Sequence, residues 1–329
     1  MIITQTPLRI SLAGGGTDLE EFYKVEDGKV ISAAIDKYVF VIVSKRFDEK
    51  IVINYSKKEI VDSAGAIQHE LVREAMKKCG IEKGIEVTTL ADIPSEGSGL
   101  GSSSSVTVGL LNAFYIFLGE QVTAERLARE ACEIEIEICK KPIGKQDQYI
   151  AAYGGICEFT FKKDGSVEVE KIRLNEREYR QLDSELSLFY TNATRDSSDI
   201  LTEQRANTLN KLEYLKQLKD FVPQVKESIE SGNFSAIGRI LHESWMLKKL
   251  LASQITNRSI DEMYRVAINA GAQGGKISGA GGGGFMLLQV PLAKQDGVRK
   301  ALTKYRELPF LLEQDGSKVI FNQKRFVAW

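Results

Sequence analysis

The stretch Pro94-Ser-Glu-Gly-Ser-Gly-Leu-Gly-Ser-Ser-Ser-Ser105 constrains this chain more than any other. It follows a short β-like run, Gly84 to Leu90. It leads straight into Val106, Leu110, Leu111, Phe114 and Phe117, which recur at helical spacing. The order is strand, glycine loop, helix. Such a loop presents free backbone N–H groups and the positive end of the helix dipole, where anions and above all phosphates bind. Its serines add hydroxyls able to reach a phosphate oxygen or a metal ion. A flexible Gly/Ser linker is the plainer reading, but linkers of that composition are rarely flanked by a strand and a strongly periodic helix. No G-x-x-x-x-G-K-[ST] occurs in the sequence, so the loop is a phosphate loop without the P-loop lysine.

The 329 residues suffice for two domains of ordinary size, and 43% hydrophobic content supports real cores. Basic and acidic residues nearly balance, 44 against 45, which argues against nucleic acid as a partner. No apolar run is long enough to span a membrane. The first residues lack the basic start and apolar core of a secretory signal, so a cytoplasmic location is expected. Cys79, Cys132, Cys139 and Cys157 form no C-x-x-C pair and read as reduced core residues. With only His69 and His242, and no H-E-x-x-H, neither a zinc site nor a Ser-His-Asp triad is expected.

Residues 2–12 read as a strand broken by Pro7, then a glycine turn, Ala13-Gly-Gly-Gly-Thr-Asp18, and a helix from Asp18. The turn is no dinucleotide fingerprint, because Leu19 stands where a third glycine is required. Strands are expected at 30–35, 38–44 and 50–55, and a helix at 66–79. Thr123 to Lys141 reads as one helix, stopped by Pro142 and Gly144, with Leu127, Ala131, Ile134 and Ile138 on its apolar face. Glu135 lies at the edge of that face, where a carboxylate either looks into a cleft or joins a solvated acidic surface. Asp147 falls in a polar loop after it. A hairpin at 156–161 and 166–173 and a strand at 186–191 follow. Helices at 200–219, 223–231, 234–253 and 259–270 come next, then a second large glycine loop at 274–284 with a strand behind it. A helix at 292–305 and a closing strand at 318–322 complete an α/β sandwich ending.

Taken in order, three glycine motifs resemble those of the GHMP kinases, the superfamily of galactokinase, homoserine kinase, mevalonate kinase and phosphomevalonate kinase. Pro94 with Gly99-Leu-Gly-Ser-Ser103 resembles the nucleotide-phosphate motif, Pro7-Leu-Arg-Ile-Ser-Leu-Ala-Gly-Gly-Gly-Thr-Asp18 the first motif, and Lys276-Ile-Ser-Gly-Ala-Gly-Gly-Gly-Gly-Phe285 the third. The resemblance covers essentially the whole chain. It implies an α+β, two-domain GHMP kinase fold: a ribosomal-protein-S5-like N-terminal domain over 1–185 and a ferredoxin-like α/β sandwich over 186–329. Arg9 and Thr17-Asp18 in the first motif, Gly144-Lys-Gln-Asp-Gln-Tyr149, and Thr191-Asn-x-x-Arg195 are similar to the sugar-1-kinase branch. That branch implies phosphorylation of the anomeric hydroxyl of D-glycero-D-manno-heptose 7-phosphate. L-fucose is the close alternative in motif, although fucokinases are usually much longer. The heptose branch carries Thr-Gly where this chain has Thr191-Asn192; asparagine tolerates left-handed dihedrals, so the turn can survive.

The same resemblance implies roles for individual residues. Gly97, Ser98, Gly99, Leu100, Gly101, Ser102, Ser103 and Ser104 surround the phosphates of ATP. Mg²⁺ falls to Ser103 and Glu135. Asp147 matches the catalytic aspartate, and Arg9 takes the place of the first-motif lysine. Gly14, Gly15, Gly16, Thr17 and Asp18 meet the sugar, with Gly281 and Gly282 on the substrate side of the cleft. Arg195 is a candidate for the sugar's distal phosphate, or for an ion pair with Asp196 or Asp199. Small-molecule sugar phosphate and ATP are the expected partners, and the long helices after residue 200 offer a face for a homodimer. A non-catalytic binding protein on this fold would be expected to lack Glu135 or Asp147; both are present.

Overall fold

A computed structural model describes residues 1–94, 97–193 and 197–323. Alternating and continuous apolar runs give the two longest strands, β1 (Ile2–Ala13) and, after a single-turn helix α1 (Glu20–Tyr23), β2 (Gly28–Lys45). Then come β3 (Ile51–Asn54), β4 (Lys58–Val61), α2 (Glu70–Lys78), β5 (Ile85–Ala91) and α3 (Ser102–Leu118). Helices α4 (Ala124–Cys132) and α5 (Gln146–Tyr153) lead to the expected hairpin, β6 (Ile156–Phe161) and β7 (Val167–Ile172). The rest comprises α6 (Glu176–Glu185), β8 (Leu186–Tyr190), α7 (Ser197–Asn207), α8 (Leu212–Glu230), α9 (Ser235–Lys248), α10 (Arg258–Ala270), β9 (Gly274–Ile277), β10 (Phe285–Gln289), α11 (Gln295–Ala301), β11 (Glu307–Leu308) and β12 (Lys318–Asn322).

The first sheet runs β12-β1-β2-β5-β3-β4, and β2 is long enough to carry both β6 and β5 along one edge. Pro7 does not break β1. The strand continues through a register shift at Pro7/Leu8, the kind of site where a residue without an N–H is tolerated. Helix α3 packs against β1 and β2 and is buried on nearly every side, as its run of small and apolar residues dictates. The second sheet runs β11-β8-β10-β9, antiparallel throughout. Its alternating side chains divide between two cores. Leu188 and Leu287 join the core under the first sheet, while Phe189, Met286 and Leu288 join the core built by the C-terminal helices.

Three expectations are corrected by packing. Residues 318–322 do not close the C-terminal sandwich; β12 pairs with β1, carrying the chain back to the first sheet. Residues 200–219 and 223–231 are not two helices: α8 runs unbroken through Pro223, because Leu215, Leu218, Val222, Val225 and Ile229 form one buried seam that outweighs the lost hydrogen bond, and the chain breaks earlier, between α7 and α8. Residues 123–141 are not one α-helix. Glu133–Ile138 is π-helical, with the Cys139 N–H bonded to the Ile134 carbonyl at 2.9 Å. The wider turn rotates the face, so Ile138 is exposed and Glu135 fully buried. No described helix is long and apolar enough to cross a membrane.

Candidate active site

The glycine loop before α3 and the one between β9 and β10 meet backbone to backbone. Gly97, Gly99 and Gly101 have φ of 69°, 71° and 81°. A Cβ on Gly99 would lie 2.5 Å from the Ser278 carbonyl oxygen, and one on Gly284 2.5 Å from that of Ser98. Only glycine permits both the dihedrals and the approach. Among the described residues no side chain caps the N-terminus of α3, so its first N–H groups are left for a ligand. A cleft of about 1110 Å³ opens there, bounded by the two loops, the Gly14–Gly16 turn and α9.

Arg9 and Asp147, 138 residues apart, meet in this cleft as a fork on a carboxylate. Arg9 Nε and Nη2 donate to Asp147 Oδ1 and Oδ2 at 2.7 and 2.6 Å, and Nη1 donates to the Gly99 carbonyl at 2.6 Å. Asp147 is not in a loop: it stands in the first turn of α5. Asp18 caps that helix, its Oδ2 accepting the Gln146 N–H at 3.2 Å while Oδ1 accepts that of Gly16 at 3.1 Å. Burial, with the Asp147 charge nearby, raises the Asp18 pKa above the ordinary carboxylate value.

Ser103, at the start of α3, donates to Glu135 Oε1 at 2.5 Å, and Gln148 donates to Glu135 Oε2 at 2.7 Å. Lys141 donates to Ser103 Oγ at 2.9 Å and lies 3.6 Å from Glu135. A hydroxyl touching one carboxylate, beside an uncapped helix N-terminus, suits a hard cation that takes its other ligands from phosphate and water. The π-helical turn is what brings the carboxylate in.

A model of the GHMP kinases N terminal domain matches residues 54–155, and one of the GHMP kinases C terminal region matches 225–307. The chain is 34% identical over 320 residues to D-glycero-alpha-D-manno-heptose 7-phosphate kinase of Campylobacter jejuni, covering 92% of this chain and 93% of that one. This chain is a GHMP kinase. Its architecture matches the crystal structure of a D-glycero-D-manno-heptose 1-phosphate kinase from Bacteroides thetaiotaomicron, with a TM-score of 0.83 and 26% identity, covering 98% of this chain and 100% of that one. It is also 29% identical to the L-fucokinase/L-fucose-1-P guanylyltransferase of Bacteroides fragilis, over 91% of this chain but only 36% of that longer protein. As a member of this family it is an ATP-dependent phosphotransferase of the sugar-kinase type.

Within this GHMP kinase, Arg9, Gly14, Gly15, Gly16, Asp18, Gly97, Ser98, Gly99, Gly101, Ser102, Ser103, Ser104, Asp147 and Gly281 all line the cleft. Three residues expected there are turned away. Leu100 is wholly buried, and its carbonyl accepts the Arg9 N–H at 3.0 Å. The Thr17 hydroxyl is spent on the Gly14 and Lys29 backbone, tying the turn to β2. Gly282 donates its N–H to the Ile255 carbonyl at 2.8 Å. Arg195 lies outside the described residues. Asn192 does take the left-handed conformation, with φ of 57°, and Thr191 before it bonds Gly284 of the second loop.

Sequence reasoning passed over Lys248, Lys276, Ser11 and Ser244, all of which line the cleft. Lys276 was visible as the first letter of the third motif; Lys248 on an amphipathic helix looks like any solvated lysine. Burial and the Arg9 charge push the Lys248 ammonium down to about 7. Burial, with Lys248 and Arg9 adding repulsion, holds Lys276 well below the usual lysine range.

Proposed function

We propose that this chain transfers the γ-phosphate of ATP to the anomeric hydroxyl of D-glycero-D-manno-heptose 7-phosphate, giving the 1,7-bisphosphate for nucleotide-activated heptose synthesis. The observation that carries it is the Arg9–Asp147 fork, held between the nucleotide loop and the Asp18 turn in a chain so similar to a heptose phosphate kinase. The backbone of Gly97–Ser104 and the start of α3 cradle the nucleotide phosphates. Ser103 and Glu135 fit Mg²⁺, which when bound neutralises charge on the β- and γ-phosphates. Arg9 fixes the plane of the Asp147 carboxylate, leaving its remaining lone pairs for the sugar hydroxyl. The hydroxyl proton passes to Asp147 as its oxygen bonds to the γ-phosphorus and the bond to the ADP oxygen breaks. Asp18 holds α5 in register and offers its remaining lone pairs to sugar hydroxyls.

The test is ADP release with MgATP across D-glycero-D-manno-heptose 7-phosphate, mannose 6-phosphate, mannose, L-fucose and galactose. Turnover confined to the phosphoheptose, and lost in Asp147→Asn, is expected. Turnover of L-fucose in its place would move the chain toward the fucokinase relative and discard the heptose reading.

A further inference from the structure

The nucleotide needs the loop before α3, yet the cleft holds a second set of polar groups that the phosphates of ATP do not account for. Helix α9 contributes Ser244 and, one turn on, Lys248; β9 contributes Lys276; β1 contributes Ser11, two residues from Arg9 on the same face. Ser11, Ser244 and Lys276 are 6%, 3% and 6% exposed. The Ser11 and Ser244 hydroxyls have no partner among the described residues. Lys248 spends two of its N–H groups on the Ile277 and Gly279 carbonyls, which fixes where the ammonium sits. Lys276 makes no hydrogen bond among the described residues. Asp147 pairs with Arg9 and with neither lysine among the described residues. A buried lysine and a half-buried one, lining the same cleft as these hydroxyls and in no ion pair among the described residues, are costly to maintain unless an anion completes them.

The cluster runs from the sugar side to the edge of the nucleotide loop, where Lys248 bonds the Gly279 carbonyl and Gly279 packs on Gly99. A Cβ on Gly15 would lie 3.6 Å from Ser11 Oγ, so the cluster adjoins the Gly14–Gly16 turn on the sugar side. Ser278, whose carbonyl lies against Gly99, marks the border with the nucleotide loop, and its hydroxyl likewise has no partner among the described residues. We infer that Ser11, Ser244, Lys248 and Lys276 form the site for the phosphate that the sugar already carries, and so select a sugar phosphate over a free sugar. This rests on the proposed sugar-phosphate kinase activity. A dianionic phosphate satisfies both hydroxyls and both ammonium groups at once, which a sugar hydroxyl cannot.

The experiment compares kcat/KM for D-glycero-D-manno-heptose 7-phosphate and for the same heptose without phosphate, in the wild type, Lys276→Met and Ser244→Ala, at saturating MgATP. In Lys276→Met the ratio of phosphorylated to free sugar should fall about 10- to 100-fold, the loss lying in KM for the sugar phosphate. In Ser244→Ala, which removes one hydroxyl and no charge, it should fall about 3- to 10-fold. The KM for MgATP should move less than about threefold, since its phosphates bind elsewhere. Calorimetric titration of the phosphoheptose at pH 8 without ATP, in two buffers of different ionisation enthalpy, should show proton uptake as the lysines regain charge. A rise confined to the KM for MgATP, or equal losses for both sugars, overturns the site while leaving the kinase reading intact. A wild type that prefers unphosphorylated sugar overturns the kinase reading and this site together. Should Lys276→Met fail to fold, Ser244→Ala and the proton uptake decide the matter.

Discussion

Replacing Asp147 by Asn should separate what the Arg9 pair does for stability from what it does for chemistry. Arg9 is 4% exposed and places two N–H groups on the two oxygens of Asp147, at 2.7 and 2.6 Å. Asparagine offers one oxygen, and its amide N–H₂ confronts a guanidinium donor. The buried guanidinium is then left without its counter-charge. Breaking a buried pair costs ~3–5 kcal/mol; the Asp147 side chain is 23% exposed, so water recovers part, leaving about 2–3 kcal/mol. The turnover number should fall about 10²- to 10⁴-fold as the proton acceptor is lost. Urea denaturation measures the first quantity and ADP release the second. The double variant Arg9→Met/Asp147→Asn removes both charges and should return to within about 1 kcal/mol of the wild type, with no recovery of rate. A single variant as stable as the wild type that keeps turnover within tenfold would refute the reasoning. So would a double variant less stable than the single one.

Glu135→Gln should raise the Mg²⁺ concentration for half-maximal activation by at least about tenfold, read from ADP release over a Mg²⁺ series. Gly99→Ala must hold alanine at a φ of 71° with its Cβ 2.5 Å from the Ser278 carbonyl. It should lose at least ~1–2 kcal/mol in thermal or chemical denaturation and raise the KM for ATP, because the two glycine loops can no longer dock. Burial lifts Asp183 to about 6, against the opposing bond from the Leu312 N–H. The folded state therefore binds more protons than the unfolded one between pH 3.8 and about 6, and stability from this group is lost as pH rises through that window. Relative to Asp183→Asn, which has no such titration, the wild type should lose about 2 kcal/mol between pH 4.5 and pH 7.

Legibility in the sequence tracked how local each signal was. The strand–loop–helix order around Gly97–Ser105 was plain, since glycine at left-handed positions and helical spacing are properties of a few consecutive residues. Asn192 could be read as a left-handed turn for the same reason. Asp147 and Glu135 were singled out only because the motifs resembled a family; their spacing alone left a polar loop and an acidic helix edge. The π-helical turn was not legible, because nothing in Glu-Ile-Glu-Ile-Glu-Ile distinguishes it from an α-helix until its neighbours compete for the apolar positions. The continuity of α8 across residues 219–223 was not legible either, because its buried seam is made by tertiary packing. Thr17, Leu100 and Gly282 sat in the right motifs, but a motif does not say which of its polar groups and side chains the rest of the fold takes up.

The sequence by itself determined the loops, the helix that opens at Ser102 and the family to which the chain belongs, because backbone permissiveness and hydrophobic period are written residue by residue. Only the tertiary structure decided which distant side chains share a dielectric. It sets Arg9 on Asp147, Ser103 on Glu135, and Lys248 beside Lys276. Burial turned two ordinary-looking lysines into groups that want an anion, and burial belongs to the packed whole.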